Sequence, residues 1–123
     1  MRWSGMLLLA AAGCIWGEID DDDYVEYVEK QAAIIREHEH DCAEMNEELE
    51  TQFQAIGSKS KSYGWHVERR GEKIRSLTAE QQKVFFDQYG ARLEAARKSA
   101  EAGISRCKPD RKEWVLMRED QRR

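Results

Sequence analysis

Every seventh residue from Val28 gives Val28, Ile35, Cys42, Leu49, Ile56, Tyr63, Arg70 and Leu77, apolar or aromatic everywhere but Arg70. That spacing predicts a helix face. Val25, Ala32, Phe53, Val67 and Ile74 widen the stripe on one side, Tyr24 and Met45 on the other, to the breadth of a helix facing a core. The run Gly-Ser-Lys-Ser-Lys-Ser at Gly57 to Ser62 lowers helix propensity without shifting the register, so a kink or short loop is expected there. Tyr63, Trp65 and Val67 also alternate at strand period, which leaves a small hairpin through Arg70-Gly71 as an alternative.

A second helix opens at Thr78-Ala79-Glu80-Gln81, where Thr78 and Gln81 can cap one another's amides. Its stripe is Phe86, Tyr89, Leu93, Ala96, Ala100, Gly103 and Cys107, and it must end before Pro109. Asp110 and Glu113 can start a short last helix carrying Trp114, Val115, Leu116 and Met117. With one proline, one asparagine and 36% charged residues, the chain favours helix and lacks the punctuation of an all-β fold. The expectation is an all-α fold, an antiparallel helical hairpin or small bundle with a short C-terminal helix; 123 residues suffice for one domain.

The first residues are of a different kind. Arg2 precedes the apolar run Met6 to Ala12, which as a helix spans about 10 Å against a hydrocarbon core of roughly 30 Å, too short to cross a membrane and the size of a signal-peptide core. The segment Ala11-Ala12-Gly13-Cys14 resembles the lipobox of bacterial lipoprotein precursors, with Ala11 where leucine is usual. That resemblance implies cleavage after Gly13, diacylation of Cys14 and anchoring to a membrane without a spanning helix. Ile15, Trp16 and Gly17, in place of an aspartate after the cysteine, imply by the same resemblance the periplasmic face of the outer membrane. The expected organisation is a signal peptide over 1–13, a lipidated acidic tether over 14–23 and a helical domain over 24–123.

With Cys14 set aside, Cys42 and Cys107 form an even pair in a compartment where disulfides persist. Both lie on apolar seams. Two long antiparallel legs, roughly 24–75 and 79–106, would bring them side by side, and closing so long a loop contributes roughly 4 kcal/mol in the chain-entropy model.

Charge divides the chain. Glu18 to Glu50 holds fourteen acids against Lys30 and Arg36, a net of −12, while Thr51 to Arg123 holds seventeen bases against ten acids, a net of +7. An acidic first leg facing a basic second leg accounts for both. Lys59, Lys61, Arg69, Arg70, Lys73 and Arg75, with Tyr63, Trp65 and His66 among them, have the composition of a nucleic-acid surface, but export argues against that partner.

Chemistry could reside in Arg36-Glu37-His38-Glu39-His40-Asp41-Cys42, where His38, His40 and Asp41, with Cys42, offer ligands for Zn²⁺ or Cu²⁺. The solvated acidic face is the plainer reading, since no HExxH or paired CxxC spacing occurs. No Gly-x-Ser-x-Gly, catalytic dyad or phosphate loop is present, so a non-enzymatic chain without a cofactor is expected. The expectation is a membrane-anchored periplasmic lipoprotein, a structural or protein-interaction module of the cell envelope that contacts an envelope protein or itself through Tyr63, Trp65 and Trp114. The alternatives are a metal-binding envelope protein and an inhibitor or immunity-type protein presenting the Tyr63-Gly64-Trp65-His66 tip.

Overall fold

The computed structural model describes residues 19–55 and 61–109. Within them lie four helices: α1 (Asp21–Glu37), α2 (Cys42–Gln54), α3 (Tyr63–Arg75) and α4 (Ala79–Cys107). The fold is an all-α small bundle stapled by one disulfide, as expected; Trp114 and the short C-terminal helix fall outside the described residues.

Each helix begins on a side-chain oxygen that accepts from an amide of its first turn: Asp20, Asp41, Ser62 and Thr78. Thr78 and Gln81 form the expected capping box. Asp20 and Asp23 form another, so Asp21, Asp22 and Asp23, expected in a solvated tether, are instead the first turn of α1, where the helix dipole favours carboxylates. At the other end of α4, Lys108 adopts a left-handed conformation (φ 51°) and donates its amide to the Ile104 carbonyl, and Pro109 follows.

The single leg expected over 24–75 is instead three helices. α1 stops at Glu37, and the chain turns through His38–Asp41 before Asp41 caps α2. The seven-residue register runs on through this turn, because the same faces of both helices meet one core; periodicity alone therefore did not reveal it. The strand alternative is not adopted, since Tyr63 to Val67 open α3.

The contacts fix the topology. Asp22 meets Tyr89, Glu29 meets Arg92, Ile35 abuts Gly103 and the Glu39 carbonyl faces Cys107, so α1 and α4 run parallel. Asp21 pairs with Arg70 while Tyr27 stacks on Tyr63, so α3 runs antiparallel to α1. The chain thus goes down in α1, up through α2 and α3, and down again in α4.

The core between these legs holds Tyr24, Val25, Tyr27, Val28, Ala32 and Ile35 of α1, Met45 and Leu49 of α2, Val67 and Ile74 of α3, and Phe85, Tyr89, Leu93, Ala96 and Ala100 of α4. Phe85 rather than Phe86 leads the α4 stripe, with Phe86 half-buried and edge-on to it. Two glycines set how closely the helices approach. A Cβ at Gly103 would lie 2.5 Å from Ile35 Cγ2 and 2.8 Å from its carbonyl oxygen, and one at Gly64 would collide with the Phe53 ring. Gln31, fully buried, donates from Nε2 to the Tyr27 hydroxyl at 2.8 Å.

Candidate interaction surface

The N-terminal part of α3 carries the most unusual exposed group. Ser62 caps the helix by accepting from the Trp65 amide at 3.1 Å, and the Tyr63 amide donates to the Ala55 carbonyl at 2.6 Å, tying the start of α3 to the end of α2. Gly64, His66 and Val67 turn inward, which leaves Trp65 outward and 36% exposed. Val84 is the other exposed large apolar residue among those described, at 66%.

Trp65 is framed by cations. Lys61 Nζ lies 5.2 Å from its ring centroid, the Arg69 guanidinium 4.9 Å, and His66 meets it edge-on at 5.0 Å. With no acid in the first turn of α3, the helix N-terminus adds to the positive potential. The result is an apolar plate with a cationic rim, suited to an acidic partner that offers an apolar recess.

Tyr63 stands behind this plate. Its ring packs on Tyr27 at 5.6 Å between centroids, and burial, reinforced by Asp23, Glu26 and Asp20, pushes its phenol up to about 12. It stays protonated and half-buried at neutral pH. Tyr63 therefore supports the plate more than it presents a contact of its own.

The acids of α1 are matched to bases and hydroxyls on α3 and α4. Arg70 grips Asp21 through Nε at 2.8 Å and through a terminal nitrogen at 2.7 Å, and Arg92 forms a two-pronged pair with Glu29 at 2.7 and 3.0 Å. Tyr89 donates to Asp22 at 2.7 Å, and that hydrogen bond holds its phenol up at about 12. Asp23, pushed up mainly by burial, has Asp20 and Glu26 as like-charged neighbours. Acidic and basic segments do meet at α1, but α4 runs parallel to it rather than antiparallel as expected, and Arg70 comes from the stretch expected in the acidic leg.

The metal cluster is dispersed by the turn it occupies. Asp41 is committed to capping α2, where Oδ1 accepts from the Glu44 amide at 3.1 Å. Cys42 is bonded to Cys107, with Cα atoms 5.3 Å apart and a sequence separation of 65. His38 Nδ1 lies 3.8 Å from Glu44, and His40, with its side chain 83% exposed, lies 3.6 Å from Glu39. Among the described residues no three His, Cys, Asp or Glu side chains gather as a metal requires. A helix running through 38–42 would have put His38 and Cys42 on one edge; the turn and the disulfide remove that geometry.

Of the remaining expected site residues, Cys14 and Trp114 lie outside the described residues. Among the described residues no helix is long and apolar enough to cross a membrane. What sequence reasoning missed is the role of Arg69, whose four-residue spacing from Trp65 on one helix was the available signal. No family model, curated protein or solved structure matches this chain.

Proposed function

We propose that this chain is a non-enzymatic lipoprotein of the bacterial cell envelope, held by acyl chains on Cys14 at the periplasmic face of the outer membrane, whose disulfide-stapled helical bundle serves as a protein-interaction module. The observation that carries the interaction reading is Trp65, a large aromatic left at the surface between Lys61 and Arg69. A tryptophan in water costs hydrophobic free energy that burial against a partner recovers, and aromatic side chains ringed by cations are characteristic anchors of interfaces. The lipobox-like Ala11-Ala12-Gly13-Cys14 and the oxidised cysteine pair support export. The partner expected is an envelope protein with an acidic, apolar-centred recess, or a second copy of this chain.

The test is made in cells expressing the full precursor. Mass spectrometry should find a diacylated cysteine as the amino terminus, and Cys14→Ser should abolish both the modification and membrane retention. A photo-crosslinking residue at position 65 should give a discrete adduct, while one at exposed position 98 of α4 should not. Unprocessed, unacylated precursor in the cytosol would end the lipoprotein reading, and equal labelling from both positions would end the interaction reading.

A further inference from the structure

Two large apolar side chains are exposed among the described residues, and their surroundings carry opposite charge. Trp65 lies between Lys61 and Arg69, whereas Val84 on α4 lies between Glu80, four residues before it, and Asp87, three residues after. Each is left uncovered by the chain that carries it. We propose that they cover one another between copies: the Trp65 plate of one chain docks on the Val84 patch of a second. This rests on the interaction surface proposed above and names its partner.

The charges on both sides are available for such a contact. Lys61 and Arg69 touch the indole but pair with no carboxylate among the described residues, and Glu80 makes no ion pair there either. Asp87 holds Lys83 at 2.9 Å, yet the two side chains are largely exposed, and a single ion pair in water is weak enough to exchange for an arriving guanidinium. The spacing agrees as well. The two cations stand 5.2 and 4.9 Å from one ring centroid, hence at most about 10 Å from each other, and Glu80 and Asp87, seven residues apart on α4, are separated by about 10 Å along its axis.

Shape and charge together exclude the other pairings within this chain. Gln88 and Ala91 share the face of Val84 and are exposed and uncharged, so the ground beside it is low and neutral and an indole can lie flat there. A Trp65 plate laid on a second Trp65 plate would instead bring four cations together. The exposed acids Asp22 and Glu26 of α1 and Glu47 and Glu50 of α2 offer charge without a large exposed apolar residue among those described. The contact therefore joins unlike patches of two copies. Copies anchored on one membrane, as proposed above, meet at high local concentration, which suits a contact of modest area.

Two differently tagged copies of the full chain, co-expressed, test this. A photo-crosslinking residue at position 84 of one copy should join the two tags and map to residues 61–69 of the other; the reciprocal probe at position 65 should map to residues 80–91. Lys61→Glu/Arg69→Glu in the unprobed copy should cut the yield from position 84 about tenfold. Adding Glu80→Lys/Asp87→Lys to the probed copy should restore it, a rescue that misfolding would not give. An adduct from position 65 with a protein other than this chain would overturn docking between copies and leave the interaction reading standing, whereas no discrete adduct from either position would end both. Adducts between copies that map elsewhere, or that ignore the charge reversals, would also overturn the proposal.

Discussion

The two ends of the parallel α1–α4 pair are held together by different means. At the end where α1 begins, Asp21, Asp22 and Glu29 reach Arg70, Tyr89 and Arg92, a set of ionic and hydrogen-bonded contacts spread over three helices. At the other end, α1 runs into an acid-rich turn and α2, with no lysine or arginine from Glu37 to Ser58, and there the closure is covalent: Cys42 to Cys107, with Gly103 pressed against Ile35. Partly exposed ion pairs of the first kind contribute little each and weaken with salt. A disulfide is indifferent to salt. The comparison teaches that one end of the pair is closed by contacts between polar and charged side chains and the other by sulfur and close packing.

The largest expected effect breaks the covalent end. Cys42→Ala/Cys107→Ala should lower unfolding free energy by about 4 kcal/mol in urea titrations, a large share of the total for a domain of this size. A loss under about 1 kcal/mol would mean that packing alone closes that end. Next is Gly103→Ala: the new methyl meets Ile35 side chain and backbone, and the two helices must part at a cost of about 2 kcal/mol, read as an earlier urea midpoint with the disulfide intact.

The charged end should respond more weakly and with a pH signature. Tyr89→Phe removes the hydroxyl held by Asp22 and should destabilise less than Gly103→Ala. Because the Tyr89 phenol is raised from about 10 to about 12 in the fold, its contribution is complete below pH 10 and disappears as pH climbs toward 12. Tyr63, raised likewise, adds to the same loss. Wild-type stability should therefore fall across this interval, and less steeply in Tyr89→Phe; parallel curves would show that the hydrogen bond does not couple to folding.

The smallest effect has the opposite sign. A Cβ at Gly90 would meet only Phe86 Cβ at 3.7 Å, ordinary contact, so Gly90→Ala should stabilise α4 by about 0.5–1 kcal/mol through helix propensity. Together with Gly103→Ala it separates, within one helix, a glycine that packing requires from one that it does not.

Much of this architecture was legible in the residues. The Thr78 capping box, the stop before Pro109, the α4 stripe from Tyr89 to Gly103 and the cysteine pair all stand where the sequence indicated, because each rests on local stereochemistry or on parity of thiols. The number of legs was not legible. A two-leg hairpin and a three-leg bundle both set Cys42 beside Cys107, so the bond could not choose between them. The sign that could have done so was Asp41 three residues before Glu44, a helix-starting pair hidden by the interest of the neighbouring histidines. At the candidate surface, the exposure of Trp65 follows from Gly64, His66 and Val67 taking the inward positions of α3, a choice that only packing against α1 and α2 makes.

The disulfide also divides the molecule mechanically. It makes a closed ring of everything from Cys42 to Cys107, three helices of the four, and leaves α1 as a strap fastened to that ring at one point. A pull on the chain ahead of α1 would shear that strap lengthwise along α4, loading the Arg92–Glu29 and Tyr89–Asp22 contacts together, while the ring itself could not lengthen until its sulfur bond was reduced.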